Sequence, residues 1–89
     1  MYDKDLIIKE FTPVTLQTVI LNNTAIICVY NSPTDYPGRY VARLFDGSRA
    51  TCLIVVADTI EELRTAKPNE MSIIDRIPCD ADTIAEVWI

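Results

Sequence analysis

The sequence contains no histidine, and this absence removes the side chain that most acid–base and metal chemistry at neutral pH relies on. It leaves no general base of the usual kind, no imidazole ligand for zinc and no histidine to activate a serine or cysteine nucleophile. Glycine is scarce as well: the two residues, Gly38 and Gly47, are too far apart to form a phosphate-binding loop. The sequence therefore predicts a protein that is not an enzyme and that binds no cofactor.

Long apolar runs are also missing. No stretch approaches the roughly 18 residues that a membrane-spanning helix needs, and residues 1–5 lack the basic start of a signal peptide. The three cysteines, Cys28, Cys52 and Cys79, form no CxxC pair and match no zinc-binding spacing, which favours reduced thiols, the first two of them in the core. We therefore expect a cytoplasmic protein with no membrane contact and no bound metal.

Positive charge is scarce: eight lysine and arginine residues face 13 acids, which gives a net charge of −5. The imbalance lies in residues 45–89, because residues 1–44 hold four acids and four bases. Such a chain repels a phosphate backbone, so nucleic acid is disfavoured as a partner. The closely spaced Asp80 and Asp82 lack the oxygen ladder and central glycine of a calcium loop. The acids therefore predict a solvated acidic surface, whose candidate members are Asp58, Glu61, Glu62, Asp80, Asp82 and Glu86.

What the sequence has in quantity is apolar residues, which make up 49% of the 89 positions. This length and composition predict one domain, residues 1–89, with residues 1–13 as an irregular N-terminal segment. Three apolar runs predict strands at residues 25–30, 39–45 and 51–57. Asp46-Gly47 predicts a hairpin between the last two, and Pro37-Gly38 predicts the centre of a type II turn.

One helix is predicted at residues 58–67. Asp58 is a favourable N-cap, and Glu61 stands three residues later, at the capping-box position. Leu63 is placed to face the sheet. Pro68 prevents the helix from continuing.

Two segments fit more than one structure. Residues 14–21 favour a strand, with a short helix capped by Thr12 and opened by Pro13 as the alternative. Residues 71–77 favour a strand but also fit a helical face, and residues 83–89 predict a final strand. The predicted fold is α+β: a single, mostly antiparallel sheet of four to six strands, in the order β-β-β-β-α-β-β, with one helix packed on one face.

Two resemblances accompany this pattern. The three predicted strands, the helix opening Asp-Thr-Ile-Glu-Glu at residues 58–62 and the late strand resemble the β-β-β-α-β plan of the HicB-type antitoxin domain. Residues 36–44 and 84–89 are similar to segments of small uncharacterised bacterial proteins, often from mobile elements. The first resemblance implies an antitoxin-like fold, and the second implies no known activity.

The strand at residues 39–45 carries a candidate binding surface. Arg39, Val41, Arg43 and Phe45 alternate along it and share one face. Two arginines beside an aromatic ring suit an anion or an acidic partner. The alternative is a solvated face on which the arginine stems cover apolar surface.

The apolar runs at residues 25–30 and 51–57 do not alternate, which is typical of strands covered on both faces. One helix of about ten residues, roughly 15 Å long, covers part of one face only. We therefore expect the other face to pack against a protein partner or a second copy, unless residues 1–13 fold over it. The candidate surface comprises Arg39, Val41, Arg43, Phe45 and Trp88.

The predicted function is a non-catalytic protein-interaction or regulatory module. One alternative is an acidic nucleic-acid mimic or inhibitor that occupies a basic protein groove. The other is a small enzyme that uses carboxylate and arginine side chains.

Overall fold

The computed structural model describes residues 6–19, 24–75 and 84–89. Within these ranges the chain forms six strands and two helices: β1 (Leu6–Ile7), α1 (Pro13–Val19), β2 (Ala25–Asn31), β3 (Tyr40–Asp46), β4 (Arg49–Ala57), α2 (Ile60–Arg64), β5 (Ile73–Asp75) and β6 (Ile84–Trp88). The strands make one sheet in the order β1-β4-β3-β2-β6-β5, in which only the β1–β4 pair is parallel. The predicted α+β fold with a mostly antiparallel sheet is confirmed.

Strands β3 and β4 form the predicted hairpin. Asp46 pairs with Arg49, which leaves Gly47 and Ser48 as the two-residue loop. Gly47 has a φ of +65°, and it is the one loop residue with positive φ, as in a type II′ turn with glycine first. Strand β2 pairs with β3 along its whole length, so these three strands form a continuous meander.

The loop between β2 and β3 is fixed by its own hydrogen bonds. The Arg39 amide donates to the Tyr36 carbonyl at 3.3 Å across Pro37-Gly38. Gly38 has a φ of +77°, which completes the predicted type II turn. The Ser32 hydroxyl accepts from the Gly38 amide at 2.8 Å, and the Ser32 amide donates to the Arg39 carbonyl at 2.8 Å. These bonds hold both ends of the loop together.

Residues 13–19 form a helix, so the strand predicted at residues 14–21 is wrong where the structure describes it. Pro13 occupies the first helical position, and the Thr12 hydroxyl accepts from the Thr15 amide at 3.1 Å. Leu16 packs against the core. The cap and this packing override the strand propensity of the β-branched residues. The remaining positions, 20 and 21, lie outside the described residues.

The predicted irregular segment at residues 1–13 has more structure than expected. Leu6 and Ile7 form β1 beside β4, and Phe11 is buried in the core with its amide bonded to the Ala66 carbonyl at 3.1 Å. The chain thus passes from the sheet edge onto the face that carries α2. Residues 1–5 lie outside the described residues.

The predicted start of α2 is wrong by one position. Thr59, not Asp58, is the N-cap: its hydroxyl accepts from the Glu62 amide at 3.1 Å. Glu62, rather than Glu61, therefore stands at the capping-box position. The α-helix spans Ile60–Arg64, and i→i+3 bonds continue the turns as far as Lys67.

Replacing Thr59 by alanine is expected to lower the free energy of unfolding by about 1 kcal/mol, because the first turn of α2 loses its N-cap. Urea denaturation measures the change. The control is Asp58→Ala, which removes only an exposed ion pair with Arg39 and should cost about 0.5 kcal/mol or less. A larger loss for Asp58→Ala than for Thr59→Ala would contradict Thr59 as the cap.

The core lies between the sheet and the helices. Leu63 of α2 and Leu16 of α1 pack onto the same face of the sheet. Strands β2, β3, β4 and β6 contribute their alternate residues to this face. The buried core residues are Phe11, Ile27, Val29, Ala42, Leu44, Leu53, Val55, Ala57, Leu63, Ala66, Met71 and Trp88. Of the ambiguous segment 71–77, residues 73–75 form the favoured strand, and 76 and 77 lie outside the described residues.

Candidate interaction surface

The sheet face opposite the helices is here called the open face. Neither described helix packs on it, because both lie on the core face. Its side chains follow from strand alternation and register and are Ile7, Ile26, Cys28, Tyr30, Val41, Arg43, Phe45, Ile54, Val56, Ile74 and Val87. Its central row crosses all six described strands as Ile7, Ile54, Arg43, Cys28, Val87 and Ile74.

Apolar surface on the open face is only partly covered by the chain itself. Val41 and Ile54 are buried. The residues around them, such as Phe45, are half-buried, and at the two edges Ile7 and Ile74 are 59% and 36% exposed. The apolar surface that this face leaves to solvent therefore lies on its half-buried side chains and at its two edges, and exposed apolar side chains on one face are typical of a contact surface.

Arg43 is the one charged residue in this set, and it is held at a bulge. The register between β3 and β4 shifts after Arg43, so that Phe45 pairs with Ala50. The Arg43 guanidinium donates from Nη1 to the Thr51 carbonyl at 2.8 Å, and the Thr51 hydroxyl donates to the Leu44 carbonyl at 2.7 Å. The apolar stem of Arg43 therefore stays on the sheet.

Arg39 and Arg43 have different hydrogen-bond partners. Arg39 donates from Nε to Asp58 Oδ1 at 3.0 Å, and both side chains are exposed. Arg43 donates to the Thr51 carbonyl. A shared anion site at the two arginines stays a prediction.

A pocket of about 130 Å³ lies where the β2–β3 loop meets the open face. Its volume is close to the roughly 150 Å³ of an engineered cavity that binds benzene. It is lined by Tyr30, Pro33, Asp35, Tyr36, Val41 and Arg43. Its tyrosine rings and Val41 suit contact with a large apolar side chain, and the Arg43 guanidinium suits contact with the face of an aromatic ring.

Trp88, a predicted surface residue, is fully buried and belongs to the core. Glu86, a predicted member of the acidic surface, is only 3% exposed. Arg64 donates to both Glu86 oxygens, from Nε to Oε2 at 3.2 Å and from Nη2 to Oε1 at 2.6 Å. The Trp88 indole donates to Oε2 at 2.7 Å. Neither residue is therefore part of an exposed surface.

The environment of Glu86 fixes its charge. Burial alone raises the pKa of this carboxyl. The hydrogen bonds from Arg64 and Trp88, together with the positive charge of Arg64, outweigh burial and hold the pKa below the ordinary value of 4.5. Glu86 is thus a carboxylate at neutral pH.

Three of the other predicted acids lie around the start of α2. Glu61 and Glu62 are exposed on α2, Asp58 pairs with Arg39, and Asp80 and Asp82 lie outside the described residues. Within residues 6–19, 24–75 and 84–89, no three acidic or cysteine side chains come together as metal ligands. No helix in these ranges is long and apolar enough to cross a membrane.

The prediction that Cys28 and Cys52 lie in the core is wrong. Cys28 and Cys52 are free thiols and half-buried, and Cys28 lies in the central row of the open face rather than in the core. Ile27 and Val29, on either side, are the core residues of β2. Because residues 25–30 are all apolar, the sequence does not show which of them point to the core and which to the open face. Cys79 lies outside the described residues.

No protein-family model, curated protein or solved structure matches this chain. The resemblances to the HicB-type antitoxin domain and to mobile-element proteins therefore stay predictions.

Proposed function

We propose that the protein is a non-catalytic interaction module that binds another polypeptide on its open face. The observation that carries the proposal is the central row, which crosses all six described strands with no described helix above it. Five of its six residues are uncharged, and its ends, Ile7 and Ile74, are exposed. Burying such a row against a second chain removes apolar surface from water.

The composition of the open face supports binding rather than catalysis. Interface cores are depleted in charge and enriched in aromatic residues and arginine. The open face has this character, with Tyr30, Phe45 and Arg43 among aliphatic side chains. No carboxylate belongs to the open-face set, and Asp35, which lines the pocket with Arg43, is exposed to solvent.

The test is cross-linking in the cells that carry the protein, followed by purification through a tag. The open-face variant is Val87→Lys, and the matched control is Gln17→Lys on the exposed side of α1. Wild type and control should yield the same cross-linked polypeptide, either a second copy or another protein. Val87→Lys should reduce its yield about tenfold or more, because an unpaired ammonium is costly to bury.

Circular dichroism establishes that both variants are folded. If folded Val87→Lys yields as much cross-linked product as wild type, the open face is not the binding surface and the proposal is wrong.

A further inference from the structure

We draw no further inference here: the strongest candidate, the crevice beside α2 where residues 55–57 of β4 run past the end of β1, opens to solvent, and nothing in the structure shows what covers it.

Discussion

Replacing Arg64 by alanine is expected to lower the free energy of unfolding by about 3 kcal/mol at neutral pH. Arg64 supplies two of the three hydrogen bonds to Glu86, which is almost fully buried. Without Arg64 the carboxylate keeps the Trp88 indole and has no counter-charge among the described residues. Removing one partner of a buried ion pair costs about 3–5 kcal/mol. The lower end applies because the Arg64 side chain is 42% exposed and water can reach the vacated space.

The loss should depend on pH with a definite sign. In the wild type the pKa of Glu86 is lowered by folding, so its contribution to stability is complete above about pH 4.5 and is lost as the pH falls through the lower, folded value. In Arg64→Ala, burial prevails and the pKa of Glu86 rises. In this variant, acidification protonates Glu86 and removes the cost of burying its unpaired charge. The difference in unfolding free energy between the variant and the wild type should therefore shrink as the pH falls.

Urea denaturation at neutral pH and at pH 4, followed by the fluorescence of Trp88, measures both effects. Trp88 is the single tryptophan of the chain. The control Arg49→Ala removes an exposed arginine from β4 and should change stability by about 0.5 kcal/mol or less. Glu86→Gln removes the charge and should abolish most of the difference that acidification makes. Equal losses for Arg64→Ala at both pH values would contradict this account of Glu86.

Leu63→Ala should cost about 3 kcal/mol. Leu63 is fully buried and is the buried residue of α2, so its side chain holds this helix on the sheet. Truncating a buried leucine costs about 2–5 kcal/mol, because transfer energy is lost and a cavity remains. In a domain whose total stability is about 5–15 kcal/mol, this is a large fraction.

The matched control is Leu6→Ala, the same chemical change at a residue of β1 that is 56% exposed. It should cost less than about 1 kcal/mol. The unfolding midpoint from circular dichroism compares the two variants at one protein concentration. Similar losses for both variants would mean that α2 is not anchored through Leu63.

Local signals predicted the centre of the sheet correctly. Asp46-Gly47 and Pro37-Gly38 each impose a turn through the positive φ that glycine accepts. With these turns in place, β2, β3 and β4 pair as neighbours, but the register shift between β3 and β4 after Arg43 was not predicted. The even spacing of Val41, Arg43 and Phe45 likewise predicted that they share a face, and neither described helix packs on that face.

Other features depend on contacts distant in sequence and were predicted wrongly or not at all. Strand alternation alone does not tell on which face of the sheet Trp88 lies. Its bond to Glu86 and the packing of β6 beside β2 place it in the core. Glu86 meets Arg64 from 22 positions away, which no local pattern reveals. Asp58 and Thr59 are both good caps, and the ion pair of Asp58 with Arg39 accompanies the choice of Thr59.

The order of the strands has a consequence for synthesis. Strand β6 lies between β2 and β5, although it follows both along the chain. Until β6 has been synthesised, β2 is an edge strand with unpaired backbone groups and β5 has no neighbouring strand among those described. Glu86, the partner of Arg64, also belongs to β6. Until β6 pairs with both strands, the exposed edge of β2 offers its backbone groups to any other strand.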